Sequence, residues 1–509
     1  MGYTRYQLTL PSDYRDEDLQ KRLRRESGLG DFRYVIEKKS LDARKRSRIG
    51  WQLSVAVISD EIKGDVWEAP ESLSVPKKKR EQRVLVAGTG PSGIFAALLL
   101  SEAGFRVSLL ERGGPIEERR AAIDAFESGG EFSGQNNYAF GEGGAGAFSD
   151  GKLTSRSKRI KAERVYIHNA LIEAGAPEEI AWLAHPHIGS DNLYKITAAL
   201  RRKIESLGGA FHFNSRMTGF SLLPGGGCRV SVDGAGDMEA DYLIIATGHS
   251  SDDTSAALME LGVPFRTKNF AMGCRVEHPQ ELINRAQWGS AELPGVKAAE
   301  YRLTAPGNVF TFCMCPGGRV IPAAAFAERN PVNGMSLYRR DGRFANSAVV
   351  AALHPDELAG KEVSPREALA LVGALEERFF EAAGGYGAPA SSIAAFLEGR
   401  APGSALPGSS YPFPLLPADP AELYPHFLLE RIGNGMRDFG RKIRGFESGI
   451  MLGLESRTSS AVQVLREPDG SIPGFPDLYI AGEASGWAGG IISSAADGIS
   501  AALSLIRSG

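Results

Sequence analysis

The stretch Arg83–Gly113 limits what this chain can fold into more than any other. It reads RVLVAGTGPSGIFAALLLSEAGFRVSLLERG: an apolar run, a Gly-rich turn, a helix of small residues and a second apolar run ending at Glu111. That order is a βαβ unit carrying a dinucleotide fingerprint. Gly88 permits the tight turn after the first strand. Gly90 lets a backbone approach a pyrophosphate, and Gly93 lets helix and strand pack closely. Pro91 and Ser92 open the helix, whose free N–H groups and positive dipole end suit phosphates. Glu111 lies 18 residues beyond Gly93, where an acid can accept both hydroxyls of an adenosine ribose. Arg112 follows it in the same binding region.

With 509 residues the chain is too long for one ordinary core, and two or three domains are expected. A hydrophobic share of 43% and a charged share of 23% are those of a soluble globular protein. The formal charge of −3 gives no global electrostatic case for nucleic acid or membrane. Four cysteines at this length do not make a secreted disulfide framework. The N-terminus has charges where a signal peptide needs an apolar core, and no apolar run reaches the ~20 residues of a membrane span. A cytoplasmic location is the expectation.

Residues 1–75 read as a small α+β module of β-α-β-β order. Tyr3–Leu10 alternates like a strand, Asp16–Glu26 has helical spacing, and Phe32–Lys38 and Trp51–Ile58 are further strands. Its basic stretches at 21–25 and 38–48 are read as a solvated face. A charged linker over 75–82 leads into the fingerprint. The nucleotide-binding domain is expected over 81–265, to return over 446–509, with a substrate-side domain inserted at 266–445. A helix is expected over Asp191–Leu207, a buried strand before Gly248, and one long amphipathic helix over Pro365–Ala382 within an otherwise mixed segment with a Pro-rich loop at 401–420. No second GxGxxG follows a strand, so one dinucleotide domain is expected.

Two further Gly-rich stretches carry chemistry. At the C-terminus, a short strand ends at Gly482-Glu483 and a helix begins near Gly490. Glu483 can accept hydrogen bonds from a ribityl chain. The N–H groups of Gly490 and Ile491, after Gly489, can meet the pyrimidine edge of a flavin, where a helix dipole stabilises added negative charge. The second stretch, FGEGGAGAFSDGKLTSR at 140–156, is too Gly-dense for core packing. Gly143, Gly144, Ala145 and Gly146 allow close passage of a flat ring or a phosphate. Ser149, Asp150 and Lys152 bring polar groups to the same place. Thr247 and Gly248 end the Ala-Thr-Gly strand in the middle of the chain.

These motifs together resemble the FAD-dependent, or NAD(FAD)-utilizing, dehydrogenases of bacteria and plastids, within the glutathione-reductase-like superfamily. The matching stretches include KKSLDARKR (38–46), the fingerprint, FGEGGAGAFSDGKL (140–153), HIGSDNL (187–193), GCRVEHPQELIN (273–284) and FCMCPGG (312–318). VNGMSLYRR (332–340), NSAVVAAL (346–353), ESRTSSAVQV (455–464) and the C-terminal GEASGWAGGIISSAADGI also match. Small departures fall at Ser456, Ala461, Gln463 and Trp487. The resemblance implies an α/β fold with a glutathione-reductase-like FAD-binding Rossmann domain, an inserted α+β substrate domain and the small N-terminal module. It implies an FAD-binding oxidoreductase but no particular substrate. A small-molecule substrate is expected, and, with no second nucleotide domain, NAD(P)H is a candidate transient reductant.

The middle segment is expected to build the substrate side. Its Cys313-Met314-Cys315 pair reads first as two buried small hydrophobes and second as a labile redox pair. No zinc set accompanies it, since Cys228 and Cys274 stand alone. His278 and Arg457 are the pocket candidates, and His185 and His187 are further potential proton donors. The leading function is hydride or electron transfer between FAD and an unidentified organic substrate. The alternatives are a flavin-dependent RNA-modifying protein, a flavin monooxygenase and a non-catalytic flavin binder. The basic residues lie within a net-acidic chain, which disfavours nucleic acid as a partner. Oligomeric state is left open.

Overall fold

The fingerprint folds as strand Arg83–Ala87, helix Pro91–Ala103 and strand Arg106–Leu110, in a computed structural model describing residues 1–508 except 156, 158 and 404. Arg156, at the end of the second Gly-rich stretch, and Ser404, in the Pro-rich loop, therefore lie outside the described residues. The helix is buried on nearly every face. Its Ala, Gly and Ser positions let it sit between the sheet below and the C-terminal helix Ile491–Ser508 above. Gly104, left-handed at φ 92°, ends it by returning its N–H to Leu100 and Ser101 carbonyls.

The two strands are central in a six-stranded sheet. Its order is 471–472, 475–480, 242–245, 83–87, 106–110 and 210–212. All neighbours are parallel except 471–472, which turns back on 475–480. This is a Rossmann-like mixed α/β layer. One face packs under helices 91–103, 190–206 and 491–508. The other is covered by a three-stranded antiparallel sheet, 216–222, 228–233 and 238–240.

A larger sheet occupies most of the middle segment. Eight strands run in the order 304–305, 309–322, 344–353, 270–279, 450–455, 388–392 and 415–417, with 332–336 beside 309–322. Helices 280–288, 365–383 and 426–442 cover it through one apolar cluster that includes Phe379, Phe439 and Phe446. The chain enters through Phe265–Thr267 and leaves through Val462–Val464, and these two strands pair antiparallel. Strands 270–279 and 450–455 also pair.

Residues 2–59 form strand, helix, strand, strand, with sheet order 2–11, 50–59, 33–42. Leu19 and Leu23 of the helix seal that sheet. The basic stretch 21–25 lies on this helix, not in a connection. The module is tied to the rest by reciprocal backbone bonds, Lys39 N–H to Trp182 at 2.8 Å and Ala184 N–H to Lys39 at 2.9 Å.

Several expectations differ in detail. The helix expected at 191–207 spans Ser190–Ser206, with Gly189 at its cap. A second long amphipathic helix, His426–Lys442, accompanies the expected one, which spans Pro365–Ala383. Among the described residues, no helix is long and apolar enough to cross a membrane, and no cluster of three or more His, Cys, Asp or Glu is placed to hold a metal.

Candidate functional site

A cleft runs along the carboxyl ends of the parallel strands, the customary ligand position in such a sheet. It gathers the fingerprint turn, the 139–152 stretch, the end of strand 242–245 and the C-terminal Gly-Glu turn. From the large sheet it takes Phe312, Cys313 and Asn333.

At the fingerprint end, Gly88, Gly90, Pro91 and Ser92 line the cleft. A Cβ on Gly88 would lie 2.5 Å from the Ala246 carbonyl oxygen, which the left-handed φ of 103° reinforces. A Cβ on Gly90 meets nothing closer than the Gly144 Cα at 3.8 Å, so the backbone there is open. Gly93 lies below the cleft. A Cβ there would stand 1.9 Å from the Gly88 carbonyl oxygen, so Gly93 serves helix–strand contact. The helix starts at Pro91 without a side-chain cap, leaving first-turn N–H groups to a ligand. Ser92 Oγ is buried and has no hydrogen-bond partner among the described residues. An uncapped helix start beside an unpaired hydroxyl fits a phosphate-bearing group.

Glu111 and Arg112 also line the cleft. Glu111 accepts four hydrogen bonds: Thr89 N–H at 3.1 Å, Thr89 Oγ1 at 2.6 Å, Gly113 N–H at 3.0 Å and Gly141 N–H at 3.1 Å. The ribose role expected from spacing therefore competes with a bracing role. The carboxylate ties the fingerprint turn to the Gly-rich stretch. Arg112 pairs with Asp253 at 2.8 Å and stacks over Phe140 at 4.1 Å.

In the Gly-rich stretch, Gly144, Ala145, Gly146, Ser149, Asp150 and Lys152 face the cleft. Gly143 does not; a Cβ there would strike Ala147 and Thr197. Arg119, fully buried, holds this loop by donating to the carbonyls of Asn137, Tyr138, Gly141, Glu142 and Gly144. Asp150 pairs with Lys152 at 2.8 Å and with Arg340 at 2.6 Å. Burial alone would raise its pKa, but the two cations hold it well below the usual carboxylate range.

At the C-terminal end, Glu483, Gly490 and Ile491 line the cleft, whereas Gly482 and Gly489 do not. Gly482 instead abuts Ser92. The helix begins at Ile491 as the spacing predicts. The Gly490 N–H, however, is donated to Glu483 Oε1 at 2.7 Å, not left for a ring edge. The other Glu483 oxygen meets His249 Nδ1 at 2.5 Å, and His249 Nε2 meets the Arg457 carbonyl at 2.8 Å. Glu483 thus has protein partners where a ribityl chain was expected.

His249 was missed by sequence reading, although it directly follows the Thr247-Gly248 pair that also lines the cleft. Both its ring nitrogens face acceptors. A neutral ring has one N–H, so two acceptors call for the imidazolium. Burial would lower the His249 pKa, but the Glu483 charge and hydrogen bond raise it overall. Glu483 is correspondingly lowered against its own desolvation.

The other catalytic candidates divide. Arg457 lines the cleft, but its guanidinium is spent on two carboxylates, the partly buried Asp252 at 2.7 and 2.8 Å and the buried Glu376 at 2.6 and 2.8 Å. It is a clamp between helices 252–260 and 365–383, not a free anion receptor. His278 lies outside the cleft, fully buried against Phe446 with Nε2 at 2.7 Å from that residue's carbonyl. Burial lowers its pKa to about 4, so it is a neutral core histidine. His187, also outside the cleft, meets the Tyr338 carbonyl at 3.1 Å. Cys313 lines the cleft and Cys315 lies behind it, fully buried.

The segment 269–458 matches the family described as FAD-dependent protein, C-terminal domain-like. An uncharacterized protein of Clostridium beijerinckii is 36% identical over 501 residues, covering 93% of this chain and 92% of that protein. The chain belongs to the same family as this clostridial protein, a family of FAD-dependent flavoproteins. Its cofactor is FAD. More remote is the structure of CtdE with FAD, 15% identical, covering 84% of this chain and 86% of that one, with a TM-score of 0.36. The L-amino acid deaminase of Proteus myxofaciens is 14% identical, with coverages of 94% and 95% and a TM-score of 0.37.

Proposed function

We propose that the chain is an FAD-dependent oxidoreductase that moves a hydride or electrons between the flavin and a small organic substrate. The observation that carries this reading is the convergence of the fingerprint turn, the Gly-rich stretch and the C-terminal Gly-Glu turn on one cleft with a wall from the large sheet. Gly90 and Ser92 would hold the pyrophosphate at the helix start, Glu111 would lie at the ribose, and Gly146, Lys152 and Ile491 would border the ring. When bound, FAD supplies the two-electron chemistry.

The protein's own residues bind, orient and hold charge. The His249 imidazolium keeps a proton and a positive charge at the cleft, where a fixed cation stabilises negative charge better than water does. Phe312, 39% exposed, gives an apolar face to an incoming substrate. The same proposal takes 81–265 and 446–509 as a glutathione-reductase-like FAD domain, 266–445 as the substrate-side domain and 1–75 as a separate module.

The test is to reduce the purified yellow holoprotein anaerobically, separately with NADH and NADPH, then add quinones, enones or oxygen. Reoxidation by an organic acceptor is expected. A flavin that no donor reduces and no acceptor reoxidises would overturn the oxidoreductase reading.

A further inference from the structure

The cysteine pair at the cleft wall has no part in the function described above. Strand Val309–Pro322 pairs with Phe344–Leu353, and the register slips between Phe312 and Cys315. Cys313 stands at that slip with φ 43°, in the left-handed region that residues with a Cβ seldom adopt. Side chains held this way cluster at functional sites because the surroundings over-determine them. The Cys315 Sγ donates to the Cys313 carbonyl oxygen at 3.2 Å, which turns its side chain back toward the Cys313 residue.

The surroundings are electropositive. Arg275 donates from one nitrogen to the Cys313 carbonyl at 2.7 Å and lies 3.5 Å from the Cys315 sulfur. Lys152, from the Gly-rich stretch, donates to the carbonyl of the intervening Met314. The charged groups facing the pair are Lys152 and Arg275 on one side of the balance and Asp150 and Glu455 on the other. Asp150 is itself engaged by Arg340, and Glu455 by Arg275. The neighbouring Cys315 thiol, then the two cations, hold the Cys313 thiol well below the usual thiol range despite burial. The Cys315 thiol is pushed up, first by its Cys313 neighbour and then by burial. A lowered thiol facing the cleft with a raised thiol behind it is the arrangement of an attacking and a resolving thiol.

We propose that Cys313 and Cys315 form a dithiol–disulfide couple that exchanges two electrons with the flavin in the same cleft. In the oxidising direction, the Cys313 thiolate and the Cys315 thiol lose two electrons and form an S–S bond. The S–H bond of Cys315 breaks, and its proton and both electrons pass to oxidised flavin. In the reverse direction, reduced flavin gives a proton and two electrons, the S–S bond breaks, and thiolate and thiol return. The pair is thus a second two-electron store behind the flavin. This rests on the flavin occupying the cleft as proposed above.

The test counts electrons. Holoprotein treated with diamide, freed of excess reagent and titrated anaerobically with dithionite is expected to take up four electrons per flavin. Cys313→Ser and Cys315→Ser, each still yellow, are expected to take up two. Iodoacetamide labelling of unmutated holoprotein gives an arm independent of folding. Cys313 is expected to label at pH 6 nearly as fast as at pH 8, and not at all after diamide. Buried Cys228 and Cys274 are expected to remain unlabelled in both states. A two-electron uptake in yellow, diamide-treated wild type, or Cys313 labelling unchanged by diamide, would overturn the couple alone. A protein that binds no flavin would overturn it together with the cleft assignment.

Discussion

His249 and Glu483, 234 residues apart in sequence, share a hydrogen bond of 2.5 Å at the cleft, with the Arg457 carbonyl fixing the other side of the ring. The ring is held between two acceptors, so its charge is a property of the fold and not of solution pH alone.

A pH-dependent stability follows. The raised His249 value makes its contribution complete below the ordinary histidine value of ~6.5 and lost as pH climbs through the folded value. The lowered Glu483 value makes its contribution complete above ~4.3 and lost as pH falls through the folded value. The pair is therefore worth most between about pH 4.5 and 6.5. Thermal melts should show the gap between wild type and His249→Gln largest near pH 6 and shrinking toward pH 9. A gap independent of pH over that range would contradict an imidazolium.

Gly90 and Gly93 should fail differently. Gly90→Glu places a carboxylate into open space at the helix start, so the protein should fold, melt near the wild-type temperature and purify colourless. Gly93→Ala puts a methyl 1.9 Å from the Gly88 carbonyl oxygen, a backbone atom that cannot step aside. Overpacking of this kind costs about 1–3 kcal/mol or more. Soluble yield and melting temperature should fall with flavin content. Visible absorption per protein, set beside the melting curve, checks both. A yellow Gly90→Glu protein would remove the fingerprint from the cofactor site.

Arg119 is the third point. Its five carbonyl acceptors all belong to 137–144, and burial lowers its pKa to about 10, still charged at neutral pH. Arg119→Met fills the space but takes the donor from the Asn137, Tyr138 and Glu142 carbonyls, each a cost on the order of 1–3 kcal/mol if it stays buried, whereas those of Gly141 and Gly144 keep the Gly144 and Ala147 N–H groups. The loop should loosen. Faster amide exchange at 137–146 and weaker FAD retention on dilution are expected, with exchange in the 2–59 module unchanged. Protected amides in the loop would show that Arg119 is not what shapes it.

How much of this was legible depended on sequence distance. The βαβ unit was readable because its turn, helix and strands are contiguous, and the β-α-β-β module because alternation and helical spacing are local signals. Helix 365–383 announced itself through its amphipathic pattern, and in the structure Ser364 and Glu367 form a capping box at its start. Helix 426–442 did not, because Gly433, Gly435 and Gly440 depress its propensity. It forms since Leu428, Ile432, Met436 and Phe439 bury a common face, and Gly435 lets Val309 approach. Strand 309–322 was hidden by Pro316, Gly317 and Gly318 inside it.

At the site, residue types were legible and their partners were not. Arg457 was singled out, but Asp252 and Glu376 lie 205 and 81 residues away. The spacing found Glu111 without showing that Thr89, Gly113 and Gly141 already occupy its carboxylate. The cysteine pair was visible, whereas the cations around it come from residues 152 and 275. His249 carried only its position after an Ala-Thr-Gly strand end.

The two strands that lead the chain into and out of the large sheet, Phe265–Thr267 and Val462–Val464, lie side by side, with Thr267 opposite Val462. Nearly two hundred residues thus hang from a doorway one strand-spacing wide. Whatever is lengthened, lost or exchanged beyond it, both doorposts stay put, and so does the nucleotide side. The paired strands thus fix where that long segment departs and returns, however its interior is built.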